Sequence, residues 1–320
     1  MGQHVNNTFG KTVIALRSIP ASVRNLPIVA LLTSVIILPM FTTIAELRSF
    51  VQSQRQSGKR VGLVPTMGAL HEGHLSLVNM SNEQCDATIV SIFVNPTQFG
   101  PNEDFARYPR TLDNDLHLLK SYNSTVVFVP DAAEMYPAGF DTSIQVDGVA
   151  LPFEGVIRPG HFGGVATVVL KLFLASQADV AFFGQKDYQQ LCVIKKMVAD
   201  LNVPIEIVMG ATIREPDGLA MSSRNRYLSE EERHRAVVLS QSLFAAQKRI
   251  VKENIRSAET IRQMIRDHIQ QAGGMTIDYI AVADPVTLQE LATIETEAIL
   301  LLAVRLGATR LIDNVGIRTI

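Results

Sequence analysis

Two imidazoles three residues apart, His71 and His74, stand where a strand-like run gives way to a helix-like one. The segment Pro65-Thr66-Met67-Gly68-Ala69-Leu70-His71-Glu72-Gly73-His74 follows the apolar Val61-Gly62-Leu63-Val64. It precedes Leu75, Leu77, Val78 and Met80, spaced for one side of a helix. A strand, a glycine-containing turn and a helix start form a corner suited to phosphate. Free N–H groups and the helix dipole both favour an anion at that end. Residues at i and i+3 share a helix face, so both rings can address one phosphate-sized volume, with Gly73 keeping the backbone approachable. Neither G-x-G-x-x-G nor G-x-x-x-x-G-K-[ST] occurs in the chain. Taken alone, the pair is also compatible with a zinc site or a solvated helix surface. Cys85 and Cys192 lie far apart and outside any C-x-x-C, which leaves zinc unsupported.

A second polar element, Gly218-Leu219-Ala220-Met221-Ser222-Ser223-Arg224-Asn225-Arg226, offers two hydroxyls and a cation suited to phosphate oxygens. Ser229 with Glu232 has capping-box spacing, which explains a helix start there but not Met221 to Arg224. Lys186-Asp187 follows a strand-like run and adds a point charge with a neighbouring acceptor. A surface ion pair is the plainer alternative.

His-x-Gly-His resembles the HIGH motif, and Met221 to Arg224 resembles the KMSKS loop, of the nucleotidylyltransferase superfamily. Further stretches appear in one order: Ser91-Ile92-Phe93-Val94-Asn95-Pro96-Thr97-Gln98-Phe99, Tyr108-Pro109-Arg110-Thr111, Arg158-Pro159-Gly160-His161-Phe162 and Phe183-Gly184-Gln185-Lys186-Asp187-Tyr188-Gln189-Gln190. With the first two they resemble the pantothenate synthetase family. That resemblance implies an ATP-dependent ligase joining pantoate to β-alanine through a pantoyl adenylate, with Mg²⁺ accompanying ATP. It implies catalytic roles for His74, His71 and Lys186, with His74 as proton donor. It places ATP against Met67, Gly68, Ala69, Leu70, His71, Glu72, Gly73, His74, Gly184, Gln185, Lys186, Asp187, Ile213, Met221, Ser222, Ser223 and Arg224. Gln98 and Gln190 are implied for pantoate, and Gln98 for β-alanine as well. Phe93, Val165 and Phe183 are candidate apolar walls or core residues, and Arg158 and His161 candidates for the entrance or a phosphate. Arg224 stands where the KMSKS loop often carries lysine. Two positions depart from the family: Gln185, where glutamate is common, and Asn114, in a segment richer in acids. A homodimer and a cytoplasmic location are implied. A nucleotidylyltransferase that stops at nucleotidyl transfer and a silent nucleotide-binding scaffold are the alternatives.

The elements that must position these residues alternate. Strands are expected at Val61–Val64, Thr88–Val94, Val126–Val129, Val180–Phe183 and Ile205–Val208. Helices are expected at Ile44–Ser57 (with Gly58 as C′), Glu72–Gln84, Asp113–Ser121, Gly164–Ala175 and Gln189–Leu201. That order predicts an α/β fold with a doubly wound parallel sheet, Rossmann-like, over residues 40–212. Asp113 reads as a helix N-cap and Asp113-Asn114-Asp115 as the nearest acidic cluster for a metal, with ligands otherwise unassigned. After Ile213, charged helices to about Gln271 and strands at Ile277–Ala283 and Ala298–Arg305 predict a smaller α+β lid domain over 213–320.

With 29 basic and 31 acidic residues the net charge is −2, which gives no concentrated basic surface for nucleic acid. Two unpaired cysteines suit a reducing compartment. Residues 1–39 carry Lys11, Arg17 and Arg24 and no acid, then an apolar run from Leu26 to Phe41 broken by Pro27 and Pro39. That run is shorter than the ~20 residues of a membrane-spanning helix, so no membrane partner is expected. The segment is expected outside the fold, as an early start or a targeting stretch, with Met40 opening the family-like part.

Overall fold

The computed structural model describes residues 38–319. Strands β1 (Met40–Phe41), β2 (Val61–Thr66), β3 (Ala87–Ile92), β4 (Thr125–Phe128), β5 (Val180–Gly184) and β6 (Glu206–Gly210) form one sheet in the order β1-β4-β3-β2-β5-β6. All the pairings are parallel. Alternation along the strands explains the two covered faces. Val61, Leu63, Ile89, Phe128, Ala181 and Phe183 pack with α1 (Ile44–Gln56), α6 (His161–Ser176) and α7 (Tyr188–Asp200). Val64, Val90, Val127, Val180 and Phe182 pack with α2 (Glu72–Gln84) and α3 (Leu112–Leu119). Side chains of successive strand residues point to opposite faces, so each apolar run supplies both layers. Short helices α4 (Ala132–Met135) and α5 (Glu154–Ile157) interrupt the long connection from β4 to α6.

β2 and β5 are neighbours, yet β2 leads to β3 on one side and β5 leads to β6 on the other. This is the switch point at which such sheets leave a crevice. The two strands pair only at Gly62 with Val180 and Leu63 with Ala181, so their carboxyl ends part. The His71 turn and the Lys186 turn issue from those two ends.

The C-terminal part comprises α8 (Glu230–Ala236), α9 (Val238–Glu253), α10 (Ala258–Ala272) and an antiparallel sheet of β7 (Met275–Ala283), β8 (Glu297–Leu306) and β9 (Thr309–Arg318). Ile261, Ile265 and Ile269 of α10 cover one face of that sheet against Val282, Leu300 and Leu302. The other face sends Ala281, Ala283, Ile299 and Leu301 into the core that contains α6 and α7. The smaller unit is thus α+β as expected, but it shares a core with the parallel sheet.

Several details differ from the sequence reading. β1 and β9 were not expected, and α6 starts at His161 rather than at Gly164. Thr111, not Asp113, stands at the N-cap position of α3. The capping boxes at Thr43/Glu46 and Ser229/Glu232 are formed, and Gly58 follows α1 with φ 69°. Residues 1–37 of the expected extension lie outside the described residues. Leu38 packs on the α2 layer, and the Pro39 carbonyl accepts the Val127 N–H at 2.8 Å.

Candidate active site

A cavity of about 210 Å³ opens at the switch point. It gathers Met67, His71, Gly73, His74, Gln98, Gly184, Lys186, Asp187, Gln190, Ile213, Met221, Ser222, Ser223 and Arg224, with Phe93, Val165 and Phe183 on its apolar side. Arg158 and His161 line it too. Gly68, Ala69, Leu70, Glu72 and Gln185 do not line this cavity. Leu70 and Glu72 border a shallower groove on the outer side of His71.

The turn after β2 is held from below by a residue that sequence reasoning misread. Asp115 is fully buried, and its carboxylate accepts the Ala69 and Leu70 N–H groups, both at 2.9 Å, and the Thr111 hydroxyl at 3.2 Å. Those amides are therefore spent on Asp115, and Gly68 N–H is spent on Thr66 Oγ1 at 3.1 Å. Gly68 has φ 79°, and a Cβ there would sit 3.0 Å from the Asp115 carboxylate, so the tight approach depends on glycine. Ala69 follows at φ 51°, a left-handed conformation uncommon outside glycine.

The start of α2 also departs from the expected row of free amides. His71 is the N-cap, and its Nδ1 accepts the Gly73 N–H at 3.1 Å. His74 Nδ1 faces the His71 N–H at 3.4 Å, and the ring centroids lie 4.1 Å apart. An Nδ1 that accepts leaves the proton of a neutral ring on Nε2. The helix terminus thus acts through two imidazoles. Burial pushes His71 down to about 4, with Lys186 and Arg226 adding to the effect. Burial likewise pushes His74 down to about 3, with His71 contributing next. At neutral pH both are uncharged N–H donors.

These depressed values predict a stability profile. His161, pushed down to about 4 by burial and then by Arg158, belongs to the same set. All three rings are neutral in both states above pH ~7.5. As pH falls towards 4, the unfolded chain takes up protons that the fold refuses. Stability is then lost at about 1.4 kcal/mol per pH unit for each ring, or at most about 4 kcal/mol per unit together. Urea unfolding between pH ~7.5 and ~5.5, above the carboxylate range, should show the onset of this loss. His74→Gln should flatten it by about a third.

Lys186 leaves β5 on a 3₁₀ turn and lies 3.5 Å from the Asp187 carboxylate. Burial alone would raise the Asp187 carboxyl, but Lys186 and Arg224 hold it below its ordinary range. The turn is anchored from β9: the buried Asn314 amide donates to the Gln185 and Lys186 carbonyls at 3.0 and 2.9 Å. Gln185 is therefore part of an anchor rather than of the cavity wall. The Met221 loop returns beside the crevice, with the Met221 N–H on the Ile213 carbonyl at 3.0 Å. Arg224 forms a bidentate pair with Asp104, both contacts at 2.9 Å, and Ser223 Oγ lies 3.2 Å from the Tyr108 hydroxyl. The cation expected to grip phosphate is thus held by a carboxylate in this conformation.

Gln98 occupies a 3₁₀ turn after β3 and is itself buried. Asn95 Nδ2 donates to Gln98 Oε1 at 3.1 Å and to the Gly164 carbonyl at 3.2 Å, while Asn95 Oδ1 accepts the Tyr136 hydroxyl at 2.7 Å. This fixes the Gln98 amide with its donor side towards Met67 Sδ at 3.1 Å. Adjacent glutamines in α7 diverge. Gln190 lines the cavity, whereas Gln189 is buried and donates to the Val149 and Pro152 carbonyls. A Cβ on Gly164 would lie 2.3 Å from the Thr97 carbonyl oxygen and 2.7 Å from Gln98 Cα. Gly164→Ala must therefore displace the Gln98 turn. The expected result is a rise in KM of about 10-fold or more for whichever ligand Gln98 holds, measured by steady-state kinetics with each substrate varied in turn.

Comparison with known proteins identifies the family. A family model described as pantoate-beta-alanine ligase matches residues 39–316. The chain is 52% identical over 273 residues to the pantothenate synthetase of Acetivibrio thermocellus, covering 85% of this chain and 97% of that protein. It is 50% identical over 277 residues to that of Rhodopirellula baltica, covering 86% and 97%. A crystal structure of pantothenate synthetase from Thermus thermophilus superposes with a TM-score of 0.83 at 43% identity, covering 87% of this chain and 99% of that one. The Francisella tularensis pantoate-beta-alanine ligase, crystallised with beta-gamma ATP and beta-alanine, gives 0.72 at 34% identity, covering 87% and 97%.

Proposed function

The chain belongs to the pantoate–β-alanine ligase family, and from that premise we propose how its cavity joins pantoate to β-alanine with ATP to give pantothenate. The observation that carries the residue assignment is the convergence of His71, His74, Lys186, Gln98, Gln190 and the Ser222–Arg224 loop on one cavity.

A carboxylate is a poor acyl donor because oxide is a poor leaving group. Pantoate's carboxylate oxygen attacks the α-phosphorus of ATP, the bond to the bridging β-phosphate oxygen breaks, and pyrophosphate leaves with that electron pair. The deprotonated amine of β-alanine then attacks the acyl carbon of the bound pantoyl adenylate, AMP leaves with the electron pair of the carbon–oxygen bond, and the new amide nitrogen gives up its extra proton to solvent. Charge accumulates on phosphate oxygens in the first step, so fixed donors in a dry cleft supply most of the rate. His71 and His74 serve as neutral Nε2–H donors, with His74 the expected proton donor. Lys186 adds a point charge, and Ser222, Ser223 and Arg224 close on the β- and γ-phosphates once Arg224 exchanges Asp104 for phosphate oxygens. The adenine lies against Gly73, Ile213 and Met221. Gln98 and Gln190 donate to and accept from pantoate, whose gem-dimethyl group meets Phe93, Val165 and Phe183.

Among the described residues no three His, Cys, Asp or Glu side chains stand together as a metal cage, and Asp115 is spent on backbone amides. The Asp113-Asn114-Asp115 cluster therefore does not fit as a metal site. Magnesium fits this chain as a companion of the nucleotide phosphates, arriving with ATP as substrate. Residues 40–212 and 213–320 form the nucleotide-binding and covering domains. A homodimer is supported by exposed Leu151 and Val156, and a cytoplasmic setting by the buried free thiols Cys85 and Cys192. No helix among the described residues is long and apolar enough to cross a membrane.

The deciding experiment is pyrophosphate release from MgATP with pantoate alone and then with β-alanine. A single-turnover burst without amine, becoming steady turnover to AMP and pantothenate when amine is added, is expected. Absence of pantoate-dependent pyrophosphate in both arms would reject the reading.

A further inference from the structure

The second half of the reaction requires a zwitterion to reach the acyl carbon, and a small amino acid brings a carboxylate that must be neutralised in a cleft already holding phosphate. Three cations line the deep cavity: Arg158, Lys186 and Arg224. Lys186 lies on the turn after β5, and Arg224 is held by Asp104. Arg158 is held by the adjacent Glu103 and reaches the Gln98 turn, with its Nη2 3.4 Å from the Gln98 carbonyl. A second cavity of about 480 Å³ lies between the Gly100–Arg107 segment and the edge of β9, and it meets the deep cavity at Arg158, Lys186, Asp187, Ser222 and Arg224. Of these shared residues, Arg158 also borders a third cavity, lined by Thr97 and Gly164, and Ser222 borders the groove outside His71.

Arg158 is built as a preset fork. Its Nε and Nη2 donate to the Glu103 carboxylate at 2.7 and 2.6 Å. Its Nη1 lies 3.0 Å from His161 Nε2, while His161 Nδ1 lies 2.8 Å from the Gln98 carbonyl. A carbonyl can only accept, so Nδ1 carries the ring proton and Nε2 accepts from Arg158. These contacts account for four of the five guanidinium N–H donors and leave one on Nη1 uncommitted. The chain Glu103–Arg158–His161–Gln98 thus couples a nearly buried cation to the residue that faces the acyl group.

On the ligase reading above, we infer that Arg158 is the anchor for the carboxylate of the amino-acid acceptor, which enters through the cavity beside β9. The free Nη1–H can donate to that carboxylate as a charge-assisted contact, at the junction of the deep cavity with the cavity beside β9. Acceptor specificity then rests on charge: an amine without a carboxylate loses this contact.

The test compares Arg158→Gln and Arg158→Lys with the parent, using β-alanine and β-alaninamide, which keeps the amine and lacks the negative charge. In Arg158→Gln the acceptor step should fall about 10- to 100-fold further than the pantoate-dependent pyrophosphate burst. The parent's preference for β-alanine over the amide should shrink by a similar factor. Arg158→Lys should restore part of that preference, and it carries the test should the glutamine variant not fold. An unchanged preference, with both half-reactions falling together, would overturn the inference and leave Arg158 as a support for Gln98. A raised KM for ATP with acceptor preference intact would overturn it in favour of a phosphate contact. A parent that gives no pyrophosphate burst would sink the ligase reading itself.

Discussion

Replacing His74 with alanine is expected to slow adenylation by about 100- to 1,000-fold, the range seen when one donor is removed from a preorganised site. The ring is positioned by its own helix: Nδ1 faces the His71 N–H at 3.4 Å, which leaves Nε2–H as the outward donor. Its pKa of about 3 keeps it neutral, so it enters the cleft as a dipole that is already oriented when charge develops on phosphate. Pantoate binding, measured by calorimetry, should survive because Gln98 and Gln190 are untouched. His74→Asn, which keeps a side-chain N–H, should recover part of the rate. Equal single-turnover rates in His74→Ala and the parent would remove this ring from the chemistry.

The second large effect is one of stability. Asp115→Ala should cost about 3–5 kcal/mol, because it strands the Ala69 and Leu70 amides without an acceptor. The turn they belong to is already demanding, with Gly68 and Ala69 both at positive φ. Asp115→Asn keeps one acceptor oxygen and should lose less. Urea unfolding gives the first quantity. Activity at temperatures where the variant remains folded should show a raised KM for ATP, since Met67 and His71 leave the same turn. A loss below about 1 kcal/mol would mean that another group reaches those amides.

The apolar runs of β2 to β6 and the amphipathic stretches of the intervening helices were legible because burial on two faces requires them. β9 was not. Its buried residues include Asp313 and Asn314, which break the apolar alternation and are held by Arg214 and by the Lys186 turn. β1 spans two residues, too few for any period to register. The same limit applied inside α3, where Asp113 had the look of a cap. The residue that matters is Asp115, whose backbone-amide partners lie more than forty positions upstream.

What the sequence by itself determined was the set of candidate groups and the α/β layering, because composition, periodicity and ordered motifs are properties of the chain read locally. Tertiary structure decided how those groups are presented. It turned the helix amides onto two imidazoles and set Arg224 on Asp104. It also sent Gln189 to the core while Gln190 faced the cavity, and it closed the Glu103–Arg158–His161–Gln98 relay. The physical reason is common to all four. A polar side chain is committed by whichever partner burial brings within about 3 Å, and that partner is remote in sequence or indistinguishable from its neighbours until the chain has folded.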